Sequence, residues 1–142
     1  MKPEPAPLPV RTVAFLFDQF VVVTLIVVPV LALGVSFGEI VSPGDTRTAV
    51  FLALNAGAFT YHFLLEWLTG RTLGKSLFGL SVVVDDGASL GLRSSFLRNA
   101  LRAIDGLGYW SVAIVVIFYR GDGKRIGDVV GRTLVIREER RF

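Results

Sequence analysis

A chain of 142 residues holds enough material for one domain, but this one is 52% hydrophobic, with 19% charged residues and a mean hydropathy of +0.60. Soluble domains carry about 25% charged residues, so the composition favours a membrane protein. Fifteen Lys and Arg exceed twelve Asp and Glu, a surplus that suits anionic lipid headgroups, and the basic residues flank apolar segments, so nucleic acid is not expected as a partner. The absence of cysteine excludes a disulfide framework, a thiolate nucleophile and a sulfur metal site.

The N-terminal segment has proline at positions 3, 5, 7 and 9, which predicts an extended tether over 1–10 and no helix before about Val10. The apolar run 12–38 follows, and Asp18 is its one charged residue. Its length exceeds the roughly 20 residues that cross a ~30 Å hydrocarbon layer, so it is predicted as transmembrane helix one. No small-residue cleavage motif follows the run, and we expect it to be retained.

The second apolar run, 48–65, has no charged residue and is followed by Trp67, a residue typical of membrane interfaces. We predict transmembrane helix two over 48–68, joined to helix one by a short turn containing Pro43 and Gly44.

A third apolar stretch, 106–119, lies within a predicted helical segment over 93–120 and is short enough to re-enter the membrane rather than span it. If it spans, six basic residues fall on one side and eight on the other. If it re-enters, thirteen fall on one side and Arg47 alone on the other, with Arg102 in the segment itself. The positive-inside rule favours re-entry, and a short span remains the alternative.

Two stretches are typical of β-structure. The segment 78–92 reads as a hairpin with Asp86 and Gly87 at its turn, and 132–137 reads as a strand. Because lone short strands are unstable, we predict that 81–84 pairs with 133–136 in one small cytoplasmic sheet, which requires 93–120 to start and end on the same face.

The predicted fold is therefore an α-helical membrane protein with two transmembrane helices, a third re-entrant or short spanning helical segment, and a small cytoplasmic β element. The membrane domain covers 11–136, and 137–142 forms a basic tail. We expect a multi-pass protein of the cell membrane with both termini in the cytoplasm.

Asp18 lies one to two helical turns below the interface, where an unpaired carboxylate costs about 2 to 3 kcal/mol or more. The second helix presents Asn55, His62 and Glu66 on one stripe, because their spacings are seven and four residues. In two antiparallel helices Glu66 lies level with Arg11, and His62 lies near Asp18. This predicts an Arg11–Glu66 ion pair with an Asp18–His62 hydrogen bond beneath it.

The spacing of Arg11 and Asp18 returns in Arg98 and Asp105. Arg102 can pair locally with Asp105, and Arg98 and Arg102 form a basic face that can reach toward Asp18. Such buried carboxylates are either functional groups or structural ion pairs that fix helix packing, and the pattern leaves both possibilities open.

These pieces in this order resemble the RDD family of small bacterial and archaeal membrane proteins, which is named for an arginine and two aspartates. The resemblance rests on Arg11 and Asp18, on "GRTLGKSLFGLSVVVDDG", on "RNALRAIDGL" and on "KRIGDVVGRTLVIRE". Asp105 best fits the second aspartate, and Asp128 falls in the tail motif, where "VGRT" replaces the usual "AGT". The resemblance implies membrane residence and a suspected transport role, with some members reported as sodium or proton antiporters.

Two functions are therefore expected. The first is cation or proton exchange in a homo-oligomer, with Asp18 and Asp105 of several chains lining a shared cavity for a monovalent cation or proton. The candidate ion- or proton-binding residues are Asp18, Asp105, His62, Glu66 and Asn55, and their charge partners are Arg11, Arg98 and Arg102.

The second is a non-transporting membrane scaffold that binds anionic lipid headgroups through basic residues. The candidate lipid contacts are Lys75, Arg93, Lys124 and Arg125, joined by Arg98, Arg132 and the tail.

Other motifs carry little weight. The stretch "GRTLGKS" has three residues between its glycines where a phosphate loop needs four, and it follows a membrane helix. Glycine pairs at a spacing of four, such as Gly127 and Gly131, lie outside the predicted spanning helices and are discounted as evidence for helix association. No pattern points to an enzyme, a cofactor or a metal site.

Overall fold

The computed structural model describes the backbone of residues 4–107 and 126–138 and the side chains of 4–102 and 127–138. The helices are α1 (Leu8–Ala32), α2 (Phe37–Val41), α3 (Asp45–Thr69), α4 (Leu73–Leu77), α5 (Leu92–Leu107) and α6 (Ile126–Gly131). The strands are β1 (Leu80–Val84) and β2 (Thr133–Arg137). The predicted continuation of the third segment over 108–120 lies outside the described residues, as do Lys124, Arg125 and most of the tail.

Helix α1 begins earlier and ends earlier than the predicted 12–38. Pro9 lies in its first turn, where a missing N–H costs no intrahelical hydrogen bond, so the helix begins at Leu8. Gly34 adopts a φ of 94°, which ends the helical path. The chain then forms α2, whose start is stabilised by Ser36: its hydroxyl accepts from the Glu39 N–H at 3.3 Å, and its own N–H donates to the Glu39 carboxylate at 2.8 Å.

Helix α3 runs antiparallel to α1 and extends beyond the predicted 48–68 at both ends. It ends at Gly70, whose left-handed φ of 73° lets its N–H bond back to the Glu66 carbonyl at 2.9 Å. Helices α1 and α3 each have 25 residues, or about 37 Å of helix, against the ~30 Å of a bilayer core. Both are long and apolar enough to cross a membrane.

Burial is distributed in the opposite sense to that of a soluble protein. Large apolar side chains lie on the outside, where Phe20 is 68% and Leu25 64% exposed. The fully buried side chains are largely polar: Arg98, His62, Glu66, Asn99, Thr72, Thr133, Asp18 and Asp128. A protein that exposes apolar side chains and buries charged ones is suited to the apolar interior of a membrane.

The two strands form an antiparallel sheet in which Ser81 pairs with Ile136 and Val84 with Thr133. The predicted pairing of 81–84 with 133–136 is therefore confirmed. The proline-rich segment joins this sheet, because Ala6 is buried and its N–H donates to the Val135 carbonyl at 2.8 Å. The part of the predicted tether nearest α1 is thus packed against the protein.

Three glycines allow close packing around this sheet. A Cβ at Gly74 would overlap the carbonyl oxygen of Ala14, so α4 lies directly against α1. A Cβ at Gly127 would lie 2.5 Å from the Arg98 carbonyl oxygen, and one at Gly131 would lie 3.0 Å from that of Ser94. Gly127 and Gly131 are therefore the contact of α6 with α5, and discounting this pair on sequence grounds was wrong. The pair lies in a short helix beside the sheet. It was discounted because it is distant in sequence from the two apolar runs.

Replacing Gly127 with alanine should destabilise the protein by about 1 to 3 kcal/mol, because α6 must move away from the α5 backbone. Thermal unfolding of the purified protein in detergent measures this. Gly91→Ala is the matched control, since a Cβ at that position meets nothing within 4 Å. Equal melting temperatures for the two variants would contradict the close contact.

Candidate functional site

Arg98, on α5, lies between two buried carboxylates. Its Nε donates to Glu66 Oε2 on α3 at 3.0 Å, and its Nη1 pairs with Asp128 on α6 and donates to the Thr133 hydroxyl on β2 at 3.2 Å. All four side chains are 1% exposed or less. One guanidinium therefore connects four elements, and its fixed fork of N–H donors suits two carboxylates at once.

The Glu66 carboxylate is fully buried and surrounded by donors. The Lys75 ammonium, on α4, pairs with Oε1, and the Asn99 amide donates to Oε2 at 3.0 Å. Arg102 Nη2 lies 3.6 Å from Oε1. Burying a charge is costly unless it is paired and hydrogen-bonded, and here the carboxylate faces three cations and an amide.

The predicted Arg11–Glu66 pair is wrong. Arg11 Nη2 contacts Asp128 Oδ2 at 3.3 Å, and the cationic partners of Glu66 come from α4 and α5. The prediction compared only the depths of residues along the two long helices. It did not include α6, which brings the Asp128 carboxylate to the start of α1.

Asp18 is also fully buried, but its partners are neutral. The Tyr61 hydroxyl and the Gly74 N–H each donate to Oδ1 at 2.8 Å, and the Thr72 hydroxyl donates to Oδ2 at 2.5 Å. Hydrogen bonds to a charged acceptor contribute about 1.5 to 3 kcal/mol each, and these three hold α3 and the start of α4 against α1.

The predicted Asp18–His62 hydrogen bond is wrong as well. The His62 ring lies against Gln19, with the two Nε2 atoms 3.5 Å apart, and stacks on the Phe15 ring at a centroid distance of 6.3 Å. The adjacent residue, Tyr61, takes the place beside Asp18. The remaining donors to Asp18 come from the segment 70–76, which folds back under the helices.

Lys75 was predicted to contact lipid headgroups, and this is wrong, because its side chain is buried on Glu66. Arg93 is exposed. Asn55 is half-buried and donates to the Phe51 carbonyl one turn earlier at 2.8 Å. The side chain of Asp105 lies outside the described residues, although its backbone belongs to α5.

Five residues of the site were missed by sequence reasoning: Tyr61, Thr72, Gly74, Asn99 and Thr133. One signal was present, because Thr72 stands three residues before Lys75 and accepts from its N–H, which is the spacing of a helix N-cap. Within residues 4–102 and 127–138, no cluster of three or more His, Asp or Glu side chains is placed to hold a metal ion.

A cavity of about 290 Å³ lies between α1, α3 and α5, next to the Glu66 cluster. Among the described side chains, its polar lining consists of Gln19, Asn55, Asn99 and Arg102, and three phenylalanine rings form much of the rest. Asn99 belongs both to this cavity and to the shell of donors around Glu66.

The family model described as the RDD family matches residues 5–132. The chain belongs to the RDD family. No curated protein and no solved structure matches it. Family membership and two helices of spanning length identify a membrane protein. In this RDD protein, Arg11 contacts the aspartate of the tail motif, Asp128, and Asp18 lies on the same helix as Arg11 with a separate set of partners.

The Lys75 ammonium of this cluster has a pKa near neutrality. Burial lowers its pKa from the usual 10.5 to about 7; Glu66 opposes this shift, whereas Arg102 and Arg98 reinforce it. Lys75 is therefore a buried proton donor and acceptor at physiological pH.

Because Lys75 titrates near pH 7 when folded and near 10.5 when unfolded, the unfolded chain binds more protons between these values, and stability must rise with pH across that window. We expect the melting temperature of the wild type to increase by several degrees relative to Lys75→Met between pH 6.5 and 9.5. Thermal unfolding of both proteins in one detergent measures the difference. Parallel pH profiles would contradict a lowered pKa for Lys75.

Proposed function

We propose that this RDD protein exchanges a monovalent cation for protons across the membrane, with Glu66 and Lys75 as the exchange site. The observation that carries the proposal is the pairing of a fully buried carboxylate with a buried ammonium whose pKa is about 7. Ionisable groups inside a membrane protein are costly to maintain and mark ion or proton pathways by default.

The exchange follows from competition for one carboxylate oxygen. While Lys75 is protonated, its ammonium occupies Glu66 Oε1. Loss of that proton removes one positive charge and makes Oε1 available to a cation, and a bound cation in turn disfavours reprotonation of Lys75 by Coulomb repulsion. One proton is therefore released for each cation bound. Arg98, on the other oxygen, holds the carboxylate in place during the exchange.

This proposal moves the exchange site from Asp18 to Glu66. The oxygens of Asp18 are occupied by two hydroxyls and a backbone N–H, and none of these donors changes charge near neutral pH. Asp18 holds α1, α3 and α4 together. Because two spanning helices enclose no pathway on their own, the proposal includes a homo-oligomer in which several chains surround the route.

We also propose that the protein is multi-pass with both termini in the cytoplasm, in keeping with the re-entrant segment predicted over 93–120. One end of the molecule is held together by contacts among five elements. These are the start of α1, the end of α3, the start of α5, α6 and the sheet. Among the residues that the structure describes, the basic side chains fall mainly at this end, whereas Arg47 lies beyond the opposite end of α1, which favours the sheet side as cytoplasmic.

Single cysteines test this topology directly, because the chain has none of its own. Ser42→Cys, between α2 and α3, should react with a membrane-impermeant maleimide in intact cells. Ala88→Cys, in the turn region after β1, should react only after permeabilisation. Both positions are exposed. Labelling of both from one side, or the reverse pattern, would refute the proposed topology.

Flux through purified protein in liposomes tests the exchange. A sodium or potassium gradient should drive proton movement in wild-type liposomes, detected by an internal pH-sensitive dye. Lys75→Arg keeps a positive charge beside Glu66 but cannot release its proton, so exchange should fall at least about tenfold. Arg93→Gln, which removes an exposed cation, is the control and should exchange as the wild type does.

Size-exclusion chromatography and thermal unfolding establish that Lys75→Arg is folded. Lys75→Gln is a second variant, in which cation binding should occur without proton release. Absence of flux in the wild type with either ion, or wild-type exchange by Lys75→Arg, would eliminate the proposed site.

The alternative function is a membrane scaffold that binds anionic lipid. It retains Arg93, Arg132 and Arg137, which are exposed, but loses Lys75 and Arg98, which are buried and paired with Glu66. A wild-type protein without flux whose melting temperature rises with the fraction of anionic lipid would favour this second function.

A further inference from the structure

Three cations face the Glu66 carboxylate, and the proposed exchange gives a role to two of them. Lys75 releases the proton, and Arg98 holds Oε2 at 3.0 Å. Arg102 is the third cation, and its Nη2 lies 3.6 Å from Oε1, the oxygen with which the Lys75 ammonium pairs. This distance is longer than a hydrogen bond, so the Arg102 guanidinium acts on Oε1 chiefly through its charge.

Arg102 also lies at the boundary between the exchange site and the cavity. It lines the cavity together with Asn99, and its guanidinium carbon lies 5.9 Å from the centre of the Phe15 ring, which lines the cavity as well. Both Arg102 and Asn99 contact Glu66, whose carboxylate is fully buried behind them. A cation that enters from the cavity therefore meets the Arg102 charge before it reaches Oε1.

The cavity connects this boundary with deeper parts of the molecule. Its lining runs along α1 from Phe15 to Val23 and along α3 from Phe59 to Phe51, about 12 Å of helix in each case. Its volume of about 290 Å³ is enough for several water molecules. This space gives water and a small ion a route toward Arg102 from the side away from the sheet.

The charges at this boundary limit what can replace the proton on Lys75. Before the exchange, one ammonium and two guanidinium groups face one carboxylate. A monovalent cation on Oε1 replaces the lost proton charge for charge, so the total charge is unchanged. A divalent cation adds one positive charge beside Arg98 and Arg102, and Coulomb repulsion in a buried site is screened far less than in water.

We infer that Arg102 determines the charge selectivity of the exchange site. Its guanidinium, between the cavity and Glu66 Oε1, lets a monovalent cation take the place of the Lys75 proton and excludes a divalent one. The inference rests on the proposed exchange and adds the residue that sets its specificity. It agrees with sodium or potassium as the exchanged ion and predicts that calcium is rejected.

Inhibition by calcium of sodium-driven proton movement in liposomes of neutral lipid tests the inference. Calcium is added on the sodium side, and choline chloride keeps the ionic strength constant. In the wild type, calcium at the sodium concentration should leave proton movement unchanged. Arg102→Met removes the charge without adding an oxygen ligand, so the calcium concentration that halves proton movement should be at least about tenfold lower. A purely structural role of Arg102 would lower the flux without changing this concentration.

Two further variants separate charge from packing. Arg102→Lys keeps the positive charge and should resist calcium as the wild type does. Arg93→Met is the matched control, because it removes an exposed arginine from the same helix, and it should also resist calcium.

A binding measurement covers an Arg102→Met protein that is folded but carries no flux. At pH 9 Lys75 is largely deprotonated, because its pKa is about 7. Calcium should then raise the melting temperature of Arg102→Met in detergent by several degrees and leave that of the wild type unchanged. If Arg102→Met does not fold, Gln19→Glu takes its place, because it adds a carboxylate to the same cavity wall and should lower the inhibitory calcium concentration.

The inference is overturned if calcium inhibits the wild type as strongly as Arg102→Met, if Arg102→Lys becomes as sensitive as Arg102→Met, or if the variant that folds keeps the calcium resistance of the wild type. Failure of the proposed exchange has a different signature, namely absence of Lys75-dependent flux in the wild type with sodium and with potassium, and it removes both proposals. Lys75-dependent flux with equal calcium sensitivity in all variants would leave the exchange standing and remove only the role of Arg102.

Discussion

The structure depends on one guanidinium that is shared between two buried carboxylates. Without Arg98, Glu66 and Asp128 would each lose a cation in a place that water does not reach, at a cost of several kcal/mol. The requirement for Arg98 to reach both acids sets the positions of α3, α5, α6 and β2 relative to one another. Close approach of α6 to α5 follows, and it is possible because Gly127 has no side chain to occupy the space over the Arg98 backbone.

An interior of charged groups under an apolar exterior changes what holds the protein together. In a bilayer the outer leucines and phenylalanines gain little by leaving their surroundings, so the directional contacts inside determine the packing. Isolated charges are expensive there, and the described interior accordingly pairs Glu66 and Asp128 with cations and surrounds Asp18 with hydrogen-bond donors. Such a cluster tolerates few rearrangements, because moving one member leaves another uncompensated.

The sequence was sufficient for features that depend on local pattern. Two apolar runs predicted two long helices, and β-branched alternation near both ends of the C-terminal half predicted the pairing that places Ser81 opposite Ile136. The sequence did not predict the partners of the buried acids, because the prediction only compared the depths of residues along two helices. It cannot detect that 70–76 folds back to supply Thr72 and Gly74 to Asp18, or that α6 returns to supply Asp128 to Arg11. Hydroxyl and backbone donors also leave no charge pattern in the sequence.

The two buried acids of α1 and α3 differ in the chemistry of their partners, and α4 joins them. The donors to Asp18 are neutral, whereas one partner of Glu66 is the Lys75 ammonium, whose pKa is lowered by burial to about 7. Gly74 donates to Asp18, and its neighbour Lys75 pairs with Glu66, so consecutive residues of one short helix reach both acids. A change in the charge of Lys75 therefore acts on a segment that is anchored to α1 beside it. Because Gly74 and Lys75 are consecutive residues, Asp18 and Glu66 belong to one structural unit, although only Glu66 has a partner that titrates near neutral pH.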